Sequence, residues 1–163
     1  MGRRTIGETM GYFYFPDQND LRQLSSDEVS EIEVGCANLK NKLKWGFENP
    51  YEYMFYEDKN MTTENGILGY TKKFSDKILL SPVVVSGLKW KDKNGIPNNE
   101  TVMGVVIHEL THRHQMKWLF GLTWPIFNIP FIDVITIEKW ARQNEQEAID
   151  ILSKIYDDLR RGN

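Results

Sequence analysis

Every histidine of the chain falls within one short run, Val105-Val106-Ile107-His108-Glu109-Leu110-Thr111-His112-Arg113-His114-Gln115. At about 100° per residue a helix sets His108 and His112 roughly 40° apart and one turn apart, so both imidazoles can reach a single ion. Two imidazoles in that relation, with a glutamate directly after the first, suit a divalent zinc ion and a carboxylate that handles the proton of a zinc-activated water. His114 lies about 200° around the helix from His112 and faces away from the pair. The run therefore predicts a partly buried helix that must be met by a second element carrying a further ligand.

A catalytic zinc site takes three protein ligands and keeps a fourth position open. With no other histidine in the chain and Cys36 set among Val29, Ile32, Leu39 and Leu43, the third ligand is expected to be a carboxylate downstream. Residues 136–159 predict a C-terminal helix whose apolar face runs through Ile137, Ala141, Ala148, Ile155 and Leu159, with Ile151 or Leu152 between. Glu145 falls on that face between the small residues Ala141 and Ala148, which leave room for a metal and a facing helix. It is the first choice. Glu138, one heptad earlier, is the second, and Glu147 turns about 200° away toward water.

His108-Glu109-Leu110-Thr111-His112 resembles the H-E-x-x-H zinc metallopeptidases, the zincins, whose pattern places uncharged residues such as Leu110 and Thr111 between the histidines. The string Asn144-Glu145-Gln146-Glu147-Ala148-Ile149-Asp150 is similar to the third-ligand helix of gluzincins, where a ligand glutamate is followed by a small residue at plus three and often by aspartate at plus four. Here Ile149 holds that last place and Asp150 follows it. The resemblance implies an α+β, zincin-like fold, with a small mixed sheet bearing an edge strand, the H-E-x-x-H helix and a C-terminal glutamate-bearing helix. It also implies a metalloendopeptidase that cleaves a protein or peptide substrate, with Zn²⁺ on His108, His112 and Glu145 and with Glu109 as general base. Tyr70, Tyr156 and Arg113 are the side chains of suitable type to steady the oxyanion.

The remainder of the 163 residues reads as one domain, 1–163, with 40% hydrophobic and 12% aromatic residues to fill a single core. A formal net charge of -3 argues against a nucleic-acid partner. One cysteine closes no intrachain disulfide, and no apolar run follows Arg3 and Arg4, so the expected compartment is the cytoplasm or an assembly made there. A helix capped by Ser25 or Ser26 is predicted through Leu43 to a stop at Gly46 and Pro50. Strands are expected over 12–15, 51–56, 67–73 and 77–85, the last an edge or bulged strand because of Pro82, and a place for a peptide to add as a further strand. Asn98, Asn99 or Thr101 would cap the histidine helix.

Residues 118–137 are almost wholly apolar but broken by Gly121, Pro125, Asn128, Pro130 and Asp133. They read as a loop over the core joining the two metal-binding helices, or as a surface for a protein partner or a membrane interface. Against the peptidase stand two competing classes, a non-catalytic or weakly catalytic zinc-bearing module of a larger phage or bacterial assembly, and a membrane-surface protein.

Overall fold

The computed structural model describes residues 16–62, 64, 66–71, 75–127 and 137–162. The strand expected over 12–15 lies outside them. In chain order the elements are β1 (Leu21–Gln23), α1 (Ser26–Leu39), β2 (Met54–Asp58), β3 (Gly69–Thr71), β4 (Lys77–Leu80), α2 (Pro82–Gly87), α3 (Glu100–Phe127) and α4 (Glu138–Arg160). The architecture is α+β with a small mixed sheet in the order β1-β2-β4-β3. β2 and β4 run parallel, while β1 on β2 and β3 on β4 are antiparallel.

Alternation along the strands divides the apolar side chains between two faces. Phe55, Ile78 and Leu80 join Ile32, Cys36 and Leu39 of α1, Val84 and Val85 of α2, Met103, Val106, Ile107 and Leu110 of α3, and Ala148 and Leu152 of α4 in the main core. Leu79 faces the other way, onto Met61 and Ile67, with Tyr56 and Tyr70 against them. All the longer helices thus cover one face of the sheet, and the histidine helix lies in the middle of that layer. Cys36 is buried there, and desolvation pushes its thiol up to about 12, so it is an inert core residue.

Ser25 caps α1 through a reciprocal capping box with Glu28. Arg22 of β1 holds the same carboxylate with two nitrogens, at 3.1 and 3.2 Å, and lowers its pKa to about 2. The expected run of α1 to Gly46 is corrected: the helix stops at Leu39, and Asn41 takes a positive φ of 63°. The chain leaves the helix to dock on α4. There the Lys44 N–H donates to Glu147, the Trp45 N–H donates to Asn144, and the Trp45 ring stacks on Trp140 at 4.6 Å.

The strand expected over 77–85 is also corrected. Only Lys77–Leu80 is extended, and β4 is internal, paired on both sides. Pro82 opens α2, whose N-cap is Ser81, because a residue without an N–H costs nothing in a helix's first turn. The valines that looked like strand are helical. Among the described residues β3 pairs only with β4, so the edge next to α3 belongs to β3.

Residues 118–127 continue α3 rather than forming the expected loop, and 128–136 lie outside the described residues. Among the described residues no helix is long and apolar enough to cross a membrane. At the other end of α3, the Asn99 carbonyl accepts from the Met103 N–H. Its side chain is taken up by the Leu88 carbonyl and the Tyr156 hydroxyl, which tie α2 and α4 to the start of the helix.

Candidate metal centre

α3 and α4 pack in opposite directions. His112 faces Glu138 at the start of α4, and His108, one turn earlier on α3, lies between Glu138 and Glu145. Close approach of the two helices depends on Gly104: a Cβ there would stand 2.8 Å from Ile149 Cγ1 and 3.1 Å from Glu145 Cγ. Asn144 fixes the same register. It is fully buried and hydrogen-bonds the Trp45 backbone and the Thr111 hydroxyl, which in turn donates to the Ile107 carbonyl at 2.7 Å.

The residues whose donor atoms converge are His108, His112 and Glu138, all within 4.8 Å of one another. His108 Nε2 lies 2.7 Å from Glu138 Oε1, and His112 Nε2 lies 3.1 Å from Glu138 Oε2. A tetrahedral zinc with ligands at 2.0–2.2 Å separates them by about 3.3 Å, so each imidazole nitrogen already stands within about 0.6 Å of that separation from a Glu138 oxygen. The carboxylate that converges with the two imidazoles is that of Glu138, not that of the expected ligand Glu145. Glu145 Oε1 sits 2.8 Å from Nδ1 of His108, the other ring nitrogen, whose lone pair or proton points away from the position that Nε2 addresses.

Each ring nitrogen of the pair meets a polar partner, His112 through Gln115 and Glu138 and His108 through Glu145 and Glu138. Gln115 Nε2 donates to the Ile137 carbonyl at 2.9 Å, so its Oε1 must be the atom 2.9 Å from His112 Nδ1. Nδ1 of His112 is therefore an N–H, and a neutral ring directs its Nε2 lone pair at the Glu138 carboxylate. His108 is held between two carboxylates, its Nδ1 2.8 Å from Glu145 Oε1 and its Nε2 2.7 Å from Glu138 Oε1. With both rings protonated at Nδ1 alone, two Nε2 lone pairs would meet one carboxylate and repel unless a cation lay among them. The choice is a metal ion or a second proton on each ring, and a metal satisfies all three groups at once.

Charge leads to the same conclusion. His108 is fully buried, Glu138 and Glu145 nearly so, and Glu109 is 2% exposed, which gathers three carboxyl groups in one desolvated region. Buried carboxylates persist where cations face them. Arg142, one turn after Glu138, supplies one at 3.7 Å, and a divalent ion would supply the remainder. Glu109 lies against β3: a Cβ on Gly69 would stand 2.8 Å from its Cγ and 2.9 Å from its Oε1.

His114 stands apart from the pair. Its Nδ1 is 2.8 Å from Glu48, a buried carboxylate that also receives Lys117 Nζ at 3.2 Å and the Tyr53 hydroxyl at 3.2 Å. Burial raises the pKa of Glu48, but the hydrogen bonds from His114 and Lys117 outweigh it and hold the group below its usual range. With the Glu48 N–H donating to the Leu110 carbonyl, this cluster straps the 44–53 segment across α3.

Of the three side chains suited by type to an oxyanion, Tyr156 donates to Asn99 and Arg113 lies over the Tyr53 ring. Tyr70 sits on the strand beside Glu109, and burial together with the Glu109 carboxylate raises its pKa. Gln115, Gly69, Asn144 and Arg142 were not singled out as site residues from the sequence. Gln115 was legible in principle, being three residues after His112 on the same helix side. Comparison with family models, with curated proteins and with solved structures returned no match.

Proposed function

We propose that this protein is a zinc-dependent hydrolase of peptide bonds, with His108, His112 and Glu138 holding the ion and Glu109 serving as general base. One observation carries the reading: two imidazole Nε2 atoms, on rings whose Nδ1 atoms meet Glu145 and Gln115, converge on the Glu138 carboxylate. A zinc ion bound by this set acts as a Lewis acid that brings the pKa of water toward neutrality and polarises a carbonyl.

The chain's own groups do the rest. Glu109, adjacent to His108 and desolvated beside β3, takes the proton of the attacking water. As the water oxygen joins the acyl carbon and the C–N bond breaks, Glu109 passes that proton to the departing amine. The β3 edge offers backbone groups to an extended peptide, which would add as a strand next to Glu109, in place of the 77–85 strand first considered. Tyr70 remains protonated near neutrality, its pKa raised by burial and by the charge of this carboxylate.

Gly69→Ala tests the placement of Glu109. The added methyl displaces that carboxylate by several tenths of an ångström, and hydrolysis should fall about tenfold with zinc content unchanged. The burial of Glu109 and His108 favours one other reading, zinc as a structural element of an assembly module. A mixed peptide library, incubated with zinc-loaded and with chelator-stripped protein and read by mass spectrometry, separates the two. Cleavage that requires zinc supports the hydrolase, and stoichiometric zinc with no cleavage supports the module.

A further inference from the structure

Arg142 follows Glu138 by one helical turn, and its Nε lies 3.7 Å from Glu138 Oε1, the oxygen that is 2.7 Å from His108 Nε2. The guanidinium therefore stands directly beside the ion position. Its Nε and Nη2 are both shielded from solvent, and among the described residues neither has a hydrogen-bond partner. These two nitrogens are not an arbitrary pair: their N–H bonds point the same way and form one bidentate edge of the guanidinium. Apart from the Glu138 oxygen 3.7 Å from Nε, too far for a hydrogen bond, no described group fills this charged fork, so the edge matches an anion with two oxygens that arrives with a ligand. The Arg142 side chain as a whole is 35% exposed, which places it at the boundary between the site and solvent.

We propose that Arg142 receives the free α-carboxylate of a peptide substrate, so that the bond presented to Glu109 is the last one of the chain. This rests on the hydrolase reading above and narrows the expected internal cleavage to release of a C-terminal residue. The spacing is consistent: consecutive Cα atoms are about 3.8 Å apart, so a carboxylate anchored next to a metal-holding glutamate lies within one residue of the scissile carbonyl. Water adds to the acyl carbon, the C–N bond breaks, and the terminal residue leaves as a free amino acid. Glu138 itself is the competing occupant of the fork, since a guanidinium at this place would also orient that carboxylate.

Binding distinguishes these without relying on turnover. N-acetyl-alanyl-phenylalanine and its C-terminal amide are titrated calorimetrically into zinc-loaded Glu109→Gln protein, alone and combined with Arg142→Gln or Arg142→Lys. The free acid should bind at least about tenfold more tightly than the amide, as expected for a lost bidentate charge-assisted contact. Arg142→Gln should bring the two within about twofold, and Arg142→Lys should keep part of the preference because charge survives without the fork. Equal affinity of acid and amide, no binding of either at millimolar concentration, or a preference that survives Arg142→Gln would each overturn the proposal. Loss of zinc from both Arg142 variants would overturn it too, assigning the guanidinium to Glu138. Wild-type protein that hydrolyses neither compound while the parent keeps the acid preference would sink the hydrolase reading and leave the carboxylate site standing.

Discussion

Glu138→Gln is expected to abolish stoichiometric zinc binding, with Glu145→Gln weakening it by about 10- to 100-fold and Glu147→Gln leaving it unchanged. The first removes the anionic oxygen on which both Nε2 atoms converge and leaves two neutral ligands, one fewer than a catalytic zinc site uses. The second removes the carboxylate that meets Nδ1 of His108 and holds the ring in place, an effect of the size seen when the outer partner of a ligating histidine is lost. Glu147 accepts from the exposed Lys44 N–H and is remote from the imidazoles. Unfolding need not confound the first variant. Taking one carboxylate out of a buried group of three relieves like-charge repulsion in the metal-free protein, so its apparent melting temperature without zinc should hold or rise while the zinc-dependent increment disappears. Elemental analysis and melting curves with and without zinc check this ordering. Zinc retained by Glu138→Gln but lost from Glu145→Gln would restore the ligand set expected from the sequence.

Glu109→Gln should keep zinc and lower the rate of peptide hydrolysis by about 10²- to 10⁴-fold. An amide matches the shape of the carboxylate against Gly69 but accepts no proton from water. Because Glu109 contributes no ligand atom to the converging group, zinc stoichiometry should equal that of the wild type. Parallel measurement of zinc content and turnover checks this. Equal turnover by both proteins would remove the general base from the mechanism, and loss of zinc would show that Glu109 belongs to the ligand shell.

How much of this site was legible in the sequence depends on what each residue's position requires. His108, Glu109 and His112 follow from helical phase alone, because four residues on one helix are one turn wherever that helix packs. The same phase puts Glu138 and Glu145 on one stripe with Ala141 and Ala148, and it cannot choose between them. They differ by seven residues, about 10.5 Å along α4, so the choice is a matter of axial register against α3. That register is set by contacts between distant parts of the chain: Gly104 beneath Ile149, Asn144 on Thr111, and Gln115 on the Ile137 carbonyl. None of these appears in a local pattern. A carboxylate between two alanines in an apolar stripe needs a partner, and Glu145 has one in His108 Nδ1.

The fold shows the same division. A cap at Ser25 or Ser26 is readable because its geometry lies within four residues, and the structure takes Ser25 and adds the reciprocal bond from Glu28. The valines after Pro82 were misread as strand because β-branched residues suit a half-buried strand and a buried helix turn alike. What decided between them was Ser81, placed to cap, followed by Pro82 in the first turn. The end of α1 at Leu39 was missed for another reason. Leu43 keeps the apolar period, but the chain there is drawn onto α4 by Asn144, Glu147 and Trp140, partners about a hundred residues away.

Zinc K-edge X-ray absorption of the fully loaded wild-type protein, compared with the Glu138→Gln and Glu145→Gln variants, tests the central claim most directly. The wild-type spectrum should fit two imidazole nitrogens at about 2.0–2.1 Å and carboxylate oxygen at about 2.0–2.2 Å. At saturating zinc, Glu145→Gln should retain that shell, while Glu138→Gln should lose the protein-derived oxygen or bind no zinc at all. A shell unchanged in Glu138→Gln but stripped of its carboxylate oxygen in Glu145→Gln, or one without two imidazoles in the wild type, would contradict the account.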